Sequence, residues 1–394
     1  MTQINITMDL DQIQTLIERS GANDTAKDIF RILFNQVMEK ERTEYIQAEN
    51  YERHEERKTQ RNGYYDRDFI TRIGSLNLRV PRTRDGVFSP SLFEKYQRHE
   101  KALITTMMEM VICGVSTRNV TKAVEELCGE TVSKSFVSSI IKQLDPIVEE
   151  WRNRSLKDKS YTFLMVDVLY LKIRENNRVV SRSCHIAIGI SDEGTREIIG
   201  LMLSDSESTD TWAQFFEYLK KRGLGAPKYI ISDAHAGLVQ AIRQCFIGST
   251  WQRCQAHYIR NIFDKLPQKI DRQVKDDLKA IFHMTNVSSA RELKNLFLKK
   301  YESNPKLKDT CKILDEGFED AIQVLNLPEN IQRRVRTTNC IERLNEEIRR
   351  RERVIRIFPN RESAIRLIGA LLIDKNDEWI SSSKKYLDFD PAQI

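Results

Sequence analysis

Residues 163–169 read Phe-Leu-Met-Val-Asp-Val-Leu, an apolar run with a single carboxylate, Asp167, inside it. A short apolar run of this kind predicts a buried β-strand, and the change of texture begins at Tyr161. A lone aspartate in such a strand costs several kcal/mol of folding free energy unless it is paired or binds a metal ion. Asp167 is therefore a candidate functional residue, and an edge-strand aspartate that faces solvent is the alternative.

The elements that follow this strand indicate its fold. Two further strands are predicted at Val179–Ile190 and Ile198–Leu203, and a helix near Thr211–Lys221 comes next. A short strand at Tyr229–Asp233 then precedes a helix at His235–Cys245. Three consecutive strands followed by alternating strands and helices are the order of a ribonuclease H-like domain.

The rest of the chain predicts a multidomain protein of mixed α+β and α/β class. An N-terminal helical, DNA-binding region is expected, with a short hairpin at Phe69–Arg72 and Leu76–Val80, a turn at Gly74-Ser75 and a stop at Pro81. The ribonuclease H-like catalytic domain would be interrupted by an all-helical insertion and would end in one amphipathic helix, Arg361–Trp379. The predicted domains are 1–90 (helical region with hairpin), 91–155 (helix-turn-helix), 156–265 with 331–380 (catalytic), and 266–330 (insertion).

Residues 91–155 predict three short helices, at Gln97–Cys113, Ser116–Leu127 and Ser133–Glu150. Serines stand where the N-caps of the second and third helices belong. Three helices joined by tight turns fit a helix-turn-helix module, whose last helix would present Lys134 and Ser135 to DNA. A helical packing unit that does not bind DNA is the alternative.

Asp233 is the second candidate carboxylate. It ends the predicted strand that begins at Tyr229, and ligand sites in α/β proteins gather at the carboxyl ends of strands. A Ser-Asp pair at a strand-to-helix turn is also a plain helix N-cap. In a ribonuclease H-like sheet the first and fourth strands are neighbours, which would bring Asp167 and Asp233 within reach of one metal ion.

Glu342 is the third candidate, on a late helix predicted to begin near Thr338. Its packing stripe comprises Ile341, Leu344 and Ile348. Glu346, one turn away on roughly the same face, is a rival, and an exposed acid in an arginine-rich helix is the alternative. Oxygen ligands favour Mg²⁺ or Mn²⁺. Two such ions about 3.5–4 Å apart can activate an attacking oxygen and stabilise a leaving one.

The segment from Ile331 to Arg366 holds eleven arginines, five glutamates and no lysine, a net charge of +6 that equals the formal charge of the whole chain. Arginine grips phosphate with a planar, bidentate donor, so this segment predicts contact with DNA. An ordinary solvated surface is the alternative. Arg349 lies seven residues after Glu342, at nearly the same angle around a helix. The candidate DNA contacts are Arg336, Arg349, Arg350, Arg351 and Arg353.

Several classes of protein are disfavoured by composition. The seven cysteines are scattered and include no Cys-x-x-Cys pair, which indicates reduced thiols rather than a disulfide framework. No stretch approaches the roughly 18 apolar residues of a membrane helix, and the mean hydropathy of −0.50 favours a soluble protein. Met1–Leu10 lacks the features of an export leader, so we expect a cytoplasmic, nucleoid-associated protein.

The chain resembles the mutator-type transposases of bacterial insertion sequences, which carry a catalytic triad of two aspartates and a glutamate. The most specific matches are Arg336-Thr-Thr-Asn339, Ile341-Glu-Arg-Leu-Asn345, Ile348-Arg-Arg-Arg351, Arg353-Val354 and Phe358-Pro359. Further matches are Asp167 with its strand, Ile231–Leu238, and Trp251–His257. The resemblance places the catalytic acids, which are also the metal ligands, at Asp167, Asp233 and Glu342, and a basic residue at Arg349.

The resemblance implies a DNA transposase that cleaves and joins strands at the terminal inverted repeats of its element, using two Mg²⁺ or Mn²⁺ ions. Its partners would be double-stranded DNA, both repeats and target, and a second copy of the chain, with a copied circular intermediate. Cys254 and His257 match a Cys-x-x-His element of the family, either half a zinc site or a packing pair beside the active site. His235 is either a contact to DNA or water, or a surface histidine.

Three other functions compete with this one. A catalytically inactive, transposase-derived DNA-binding regulator would be expected to have lost an acid of the triad, and all three are present. Another metal-dependent nuclease of the same fold would lack both the helix-turn-helix and the helical insertion. A small-molecule hydrolase would not concentrate arginine beside Glu342.

Overall fold

The computed structural model describes residues 22–52, 55–93, 100–129 and 131–394, and for residues 22–24 it describes the backbone alone. The start of the predicted N-terminal helical region, residues 1–21, lies outside the described residues. Two compact units are present, one ending at Lys142 and the other spanning Gln143–Ile394. The finer four-part layout stays a prediction. No helix of the described ranges is long and apolar enough to cross a membrane.

The first unit contains a long helix and a two-stranded antiparallel hairpin: α1 (Ala22–Ile46), β1 (Arg61–Thr71) and β2 (Gly74–Thr83). Along β2, Leu76, Leu78 and Val80 are buried, whereas Asn77 and Arg79 between them are exposed. This alternation is the period-two pattern of a strand with one packed face. This buried row packs with Phe69 of β1 and Met38 of α1, which ties the hairpin to the helix.

The hairpin is longer than the sequence predicted. Pro81 was expected to end the second strand, but β2 continues to Thr83 and Pro81 pairs with Tyr64, where β1 carries a bulge. A proline has no N–H to donate, and a bulge or an edge tolerates it. The predicted turn at Gly74-Ser75 lies one step earlier, because Thr71 already pairs with Gly74, whose φ of 115° suits glycine.

Three helices follow in the first unit, α2 (Lys101–Ile112), α3 (Thr117–Cys128) and α4 (Lys134–Ile141), and the second unit opens with α5 (Leu144–Asn153). The predicted N-caps are confirmed, since Ser116 accepts from Asn119 N and Ser133 accepts from Phe136 N. The single helix predicted at Ser133–Glu150 is wrong. Pro146 cannot donate to the carbonyl of Lys142 and its ring clashes there, so the chain divides into α4 and α5.

The second unit is built on a five-stranded mixed sheet: β3 (Tyr161–Glu175), β4 (Arg178–Ser191), β5 (Arg196–Ser204), β6 (Tyr229–Ser232) and β7 (Thr250–Arg253). Its order is β5-β4-β3-β6-β7, with β3 to β5 antiparallel and β6 and β7 parallel to β3. The first and fourth strands of the sheet are neighbours, as predicted. The short strand β7 was not predicted, because only Gln252 in it is buried and no apolar run marks it.

Helices cover both faces of this sheet. The first face packs against α6 (Thr209–Lys221) and α7 (Ala236–Cys245), with Val166, Trp212 and Phe215 in the shared core. The helix α8 (Gln255–Phe263) follows β7 directly. Later helices, α14 (Asn339–Ile355) and α15 (Arg361–Ser381), also contact the sheet. The start of α14 agrees with the prediction near Thr338.

Helix α15 is more deeply buried than an amphipathic helix would be. Every residue from Arg366 to Leu372 is buried, because the helix lies against β3 and β5 on one side and α5 on another. Gly369 makes the close approach to α5 feasible, since a Cβ there would come within 2.3 Å of the Val148 side chain. The Arg366 guanidinium donates to both carboxylate oxygens of Asp145 in α5, at 2.5 and 2.8 Å. The amphipathic prediction is therefore wrong for the middle of this helix.

The segment predicted to be a helical insertion is helical and contains no strand. Its helices are α9 (Arg272–His283), α10 (Val287–Tyr301), α11 (Lys308–Glu316), α12 (Phe318–Ala321) and α13 (Glu329–Val335). Buried polar side chains attach it to the sheet. Gln252 of β7 donates to the Ala321 carbonyl at 2.8 Å and accepts from Val324 N at 2.6 Å, and Gln255 donates to the same carbonyl at 2.7 Å.

Candidate active site

Three elements of the second unit bring the predicted carboxylates together. Asp167 lies within β3, Asp233 directly follows β6, the parallel neighbour of β3, and Glu342 lies in the first turn of α14, which packs on β3. Ile341, Leu344 and Ile348 of α14 are buried and fix the rotation of the helix. The charges of Asp233 and Glu342 both act on Asp167, so the three carboxylates share one site.

The Asp167 carboxylate is held by two hydrogen bonds. Its Oδ1 accepts from the backbone N–H of Val168 at 2.8 Å, and its Oδ2 accepts from Asn345 Nδ2 at 2.8 Å. Asn345 lies three residues after Glu342 and therefore on the same face of α14. The amide oxygen of Asn345 is buried and has no hydrogen-bond partner among the residues that the structure describes. The side chain of Asn345 thus links the helix that carries Glu342 to the strand that carries Asp167.

The site disfavours the negative charge of Asp167. Burial raises the pKa of Asp167 to about 7, and the neighbouring carboxylates of Asp233 and Glu342 push it in the same direction. The Val168 N–H and the His257 imidazole oppose this rise in the pKa. A partly buried acid beside two others is a place where a cation would relieve both desolvation and repulsion.

Glu342 is oriented by two neighbours. Its Oε1 accepts from the Thr338 hydroxyl at 3.1 Å and lies 3.6 Å from His257 Nε2. Its side chain is 31% exposed, which leaves room for a ligand on the open side. Glu346, the rival considered from the sequence, is exposed. It is Glu342 whose charge raises the pKa of Asp167.

Cys254 and His257 form a pair behind Glu342. The Cys254 thiol is fully buried, between β7 and α8, and accepts from Thr338 N at 3.4 Å and from the Thr338 hydroxyl at 3.2 Å. Burial would raise the pKa of Cys254, but hydrogen bonds from His257 and Thr338 outweigh it and lower that pKa. The hydrogen bond with Cys254 raises the pKa of His257 to about 9, despite partial burial.

The donor atoms of this pair and of Glu342 are close together. Within the described ranges, the group of three metal-binding side chains with all donor atoms inside 4.8 Å is Cys254, His257 and Glu342. A structural zinc site has four protein ligands, and the described residues gather three metal-binding side chains here. The arrangement therefore favours a hydrogen-bonded pair that supports Glu342 over a zinc site.

A second polar cluster lies beside Asp233, and His235 is the member of it that the sequence indicated. Glu207, whose side chain is 9% exposed, accepts from the Tyr170 hydroxyl at 2.9 Å and from Trp212 Nε1 at 3.2 Å. His235 Nδ1 lies 3.3 Å from Oε1 of Glu207, the oxygen that accepts from Trp212. His235 is 40% exposed and stands at the N-cap of α7, so Glu207 links it to β3.

The predicted arginine contacts fall into different surroundings. Arg349 is 42% exposed, and its Nη1 donates to the Tyr170 carbonyl at 2.8 Å and to Glu352 at 2.5 Å. Arg350 is 72% exposed and pairs with Glu347, whereas Arg351 is 11% exposed and also pairs with Glu347. Arg353 is exposed. The exposed ridge of α14 thus comprises Arg349, Arg350 and Arg353.

Arg336 lies away from this ridge. It is partly buried, donates to the Phe282 carbonyl at 3.3 Å, and burial lowers its pKa. Lys134 and Ser135, in the first turn of α4 in the first unit, are both exposed. The Ser135 hydroxyl lies 2.9 Å from the hydroxyl of the N-cap Ser133.

The second unit is a mixed α/β domain whose five-stranded sheet places carboxylates beside an arginine-rich helix. Comparison with known proteins gives the family. Residues 1–382 match the family described as "Transposase, Mutator family". The chain belongs to this family, and it is an insertion-sequence transposase.

Two relatives illustrate the similarity. The transposase for insertion sequence element IS256 in transposon Tn4001 of Staphylococcus aureus is 57% identical over 390 residues, covering 99% of this chain and 100% of the relative. The transposase for insertion sequence element ISRM5 of Rhizobium meliloti is 39% identical over 368 residues, covering 93% of this chain and 91% of the relative. The family resemblance deduced from the sequence is thereby confirmed.

A search of solved structures found the integrase catalytic core domain of HTLV-2 in complex with magnesium. It is 11% identical, covers 47% of this chain and 99% of that chain, and has a TM-score of 0.19. A TM-score this low supports no conclusion about fold or function.

Proposed function

We propose that this transposase cleaves DNA and joins strands at the terminal inverted repeats of its element, with Asp167, Asp233 and Glu342 as catalytic residues and metal ligands. The observation that carries the proposal is the pKa of Asp167, which burial above all, and then the charges of Asp233 and Glu342, raise to about 7. Three acids gathered from a strand, a strand end and a helix are costly to fold together without a cation. The cost is expected where the acids serve a function.

The ligand chemistry supports Mg²⁺ or Mn²⁺. Carboxylate oxygens are hard ligands, and magnesium in proteins is held by a few carboxylates together with substrate phosphate. Two bound ions would activate the attacking oxygen and stabilise the leaving oxygen of a phosphodiester.

The chain's own residues orient this site. Asn345 donates to Asp167 and keeps that carboxylate facing α14. The Thr338 hydroxyl donates to Glu342, and protonated His257 lies 3.6 Å from the same carboxylate oxygen. The backbone N–H of Thr338 donates to Cys254, so one residue ties the Cys254–His257 pair to the third acid. Such supporting hydrogen bonds fix the direction of metal ligands.

DNA is the partner that the charge distribution supports. The exposed ridge of Arg349, Arg350 and Arg353 begins two turns beyond Glu342, where a guanidinium would meet the phosphates next to the cleaved bond. Lys134 and Ser135 are exposed at the start of α4, in the position of a recognition helix. We further propose that the protein acts as a homodimer in the cytoplasm, on the bacterial nucleoid, through a circular intermediate.

The alternative of a catalytically inactive regulator lacks support from the site. A regulator has no need to keep three carboxylates together, and a neutral residue at position 167 would remove the penalty that burial imposes on Asp167. The supporting residues Asn345 and Thr338 are likewise present and engaged.

Cleavage of a labelled duplex that carries the element's terminal repeat tests the proposal. Glu342→Gln should abolish formation of a free 3′ hydroxyl in Mg²⁺ or Mn²⁺ while leaving binding to the duplex unchanged. Glu346→Gln is the matched control, because it removes the same charge one turn along α14 from an exposed position, and it should cleave normally. Normal cleavage by Glu342→Gln, or loss of cleavage only in Glu346→Gln, would contradict the assignment of the third ligand.

A further inference from the structure

A cavity of about 330 Å³ lies in the first unit, at the end of the β1–β2 hairpin that is far from its turn. Its lining includes the arginines and aromatic residues Tyr65, Arg67, Arg82, Arg84, Phe88 and Phe93. None of the described residues that line it is acidic. We name it the arginine cavity, since its lining brings together three arginines and several aromatic rings.

The charge of this region is as unbalanced as that of the arginine-rich helix. Residues 57–84 contain eight basic and two acidic side chains, a net charge of +6. The segment 331–366 carries the same net charge, and so does the whole chain. The remainder of the protein is therefore acidic, and the hairpin is a second local concentration of positive charge. A concave basic surface focuses its field on an anionic partner.

Two of the arginines of the cavity, Arg82 and Arg84, are available to a ligand. Arg82 and Arg84 are exposed, and in the described part of the chain neither takes part in an ion pair. The Arg82 guanidinium lies 5.8 Å from the centre of the Tyr65 ring, and that of Arg67 lies 4.2 Å from the Phe93 ring. Such stacking holds the guanidinium planes without neutralising their charge.

The backbone beneath these side chains is fixed. The buried Arg42 of α1 donates to the carbonyls of Gly63 at 3.0 Å and Arg82 at 3.3 Å, one on each strand. The nearby carboxylate of Asp85 accepts two hydrogen bonds, from the Thr83 hydroxyl at 2.6 Å and from the Tyr45 hydroxyl at 3.1 Å. The cavity is thus built before any ligand arrives, which lowers the entropy cost of binding.

We propose that the arginine cavity binds the phosphate backbone of duplex DNA, with Arg82 and Arg84 as the phosphate contacts and Tyr65 packed against the sugar-phosphate chain. This rests on the proposed function, which makes duplex DNA the substrate. Planar guanidinium groups match phosphate oxygens in pairs, and such contacts set the position of a protein on DNA without reading its sequence. The site is additional to α4 and to the exposed ridge of α14.

The test measures the affinity of the full-length protein for a labelled terminal-repeat duplex as salt is raised. Arg82→Ala/Arg84→Ala should lower the slope of log affinity against log salt by about 1.8, since each lost phosphate contact removes about 0.9. Between about 50 and about 200 mM salt, wild-type affinity should then fall about tenfold more than that of the variant. The control Lys58→Ala/Arg72→Ala removes two exposed charges from the same hairpin region outside the cavity, and it should keep the wild-type slope.

The outcomes separate this proposal from the proposed function. A wild-type slope in Arg82→Ala/Arg84→Ala, or an equal loss in the control, overturns the cavity as a DNA site while leaving the triad untouched. Failure of wild-type protein to bind the duplex overturns both. If Arg82→Lys/Arg84→Lys keeps the slope that the alanine variant loses, the charge and not the fold of the hairpin is responsible. Stronger competition by an RNA duplex than by the DNA duplex, lost in the alanine variant, assigns the cavity to RNA and overturns the proposal.

Discussion

Replacing Asp167 with asparagine should stabilise the protein in the absence of metal, although it destroys the site. Asp167 has a folded-state pKa of about 7 against an ordinary value of 3.8, because burial and two neighbouring carboxylates disfavour its charge. Below a pH of about 4 the group is neutral in both folded and unfolded chains, so it costs nothing there. As the pH rises from about 4 to about 7, Asp167 ionises in the unfolded chain before it ionises in the folded one. The wild type therefore loses stability relative to the variant over this range.

The magnitude follows from the difference between the two pKa values. Each unit of difference between the pKa values corresponds to about 1.4 kcal/mol of unfolding free energy. Asp167→Asn should therefore be more stable than the wild type by about 2 kcal/mol at pH 5.5 and by at most about 4 kcal/mol above pH 7. Hydrogen bonding should not offset this gain. The Asn345 amide can rotate, so that its unpartnered oxygen faces the new amide of residue 167.

Urea unfolding followed by tryptophan fluorescence measures this gain, because all four tryptophans, at positions 151, 212, 251 and 379, lie in the second unit. Asp158→Asn is the control, an identical change at an exposed aspartate. Mg²⁺ should stabilise the wild type more than Asp167→Asn, since binding to the folded state alone raises its stability. A variant no more stable than the wild type at pH 8, or equally stabilised at pH 4 and pH 8, would refute the reasoning.

Three further predictions follow from the contacts. Cys254→Ala should return the pKa of His257 from about 9 toward 6.5, because the thiol is the main cause of the rise; NMR titration of the imidazole checks this, and an unchanged value would exclude Cys254 as the cause. Arg366→Met should cost about 2 kcal/mol of unfolding free energy by removing two charged hydrogen bonds, and an unchanged urea midpoint would contradict it. Arg349→Ala should lower the salt slope of DNA binding by about 0.9, and the wild-type slope would rule out a phosphate contact there.

The strands of the sheet could be predicted from the sequence where burial is continuous. Tyr161–Glu175 and its two antiparallel partners consist largely of buried apolar residues, and the prediction is confirmed. The four residues of β7 bury mainly Gln252, whose amide binds the helical segment, and no period in the sequence records such a contact. The break before α5 was predictable, since Pro146 stands in the middle of the helix that the sequence had suggested.

Some residues of the candidate site could likewise be predicted from the sequence, and others could not. The three acids could be proposed from strand and helix positions together with the family motifs, and the structure brings them together. Asn345 lies three residues from Glu342 within the quoted motif, so helical spacing alone could have indicated it. Glu207 could not be found, because its loop carries no motif and its partner Tyr170 is 37 residues away along the chain. Tertiary contacts of this length depend on the sheet, which the sequence predicts only in outline.

The hydrogen bond between Asp167 and Asn345 joins residues 178 positions apart, and this separation sets an order of events during synthesis. A ribosome adds roughly 5–20 residues per second, so roughly 9–36 s pass between the addition of Asp167 and the addition of Asn345. Throughout this interval the first unit, which ends at Lys142, is already fully synthesised. A ribosome that stops before Asn339 therefore releases a protein that keeps the proposed DNA contacts of the first unit and lacks the third acid. Such a fragment would carry the proposed DNA contacts of the first unit without a complete set of acids to cut the DNA it holds.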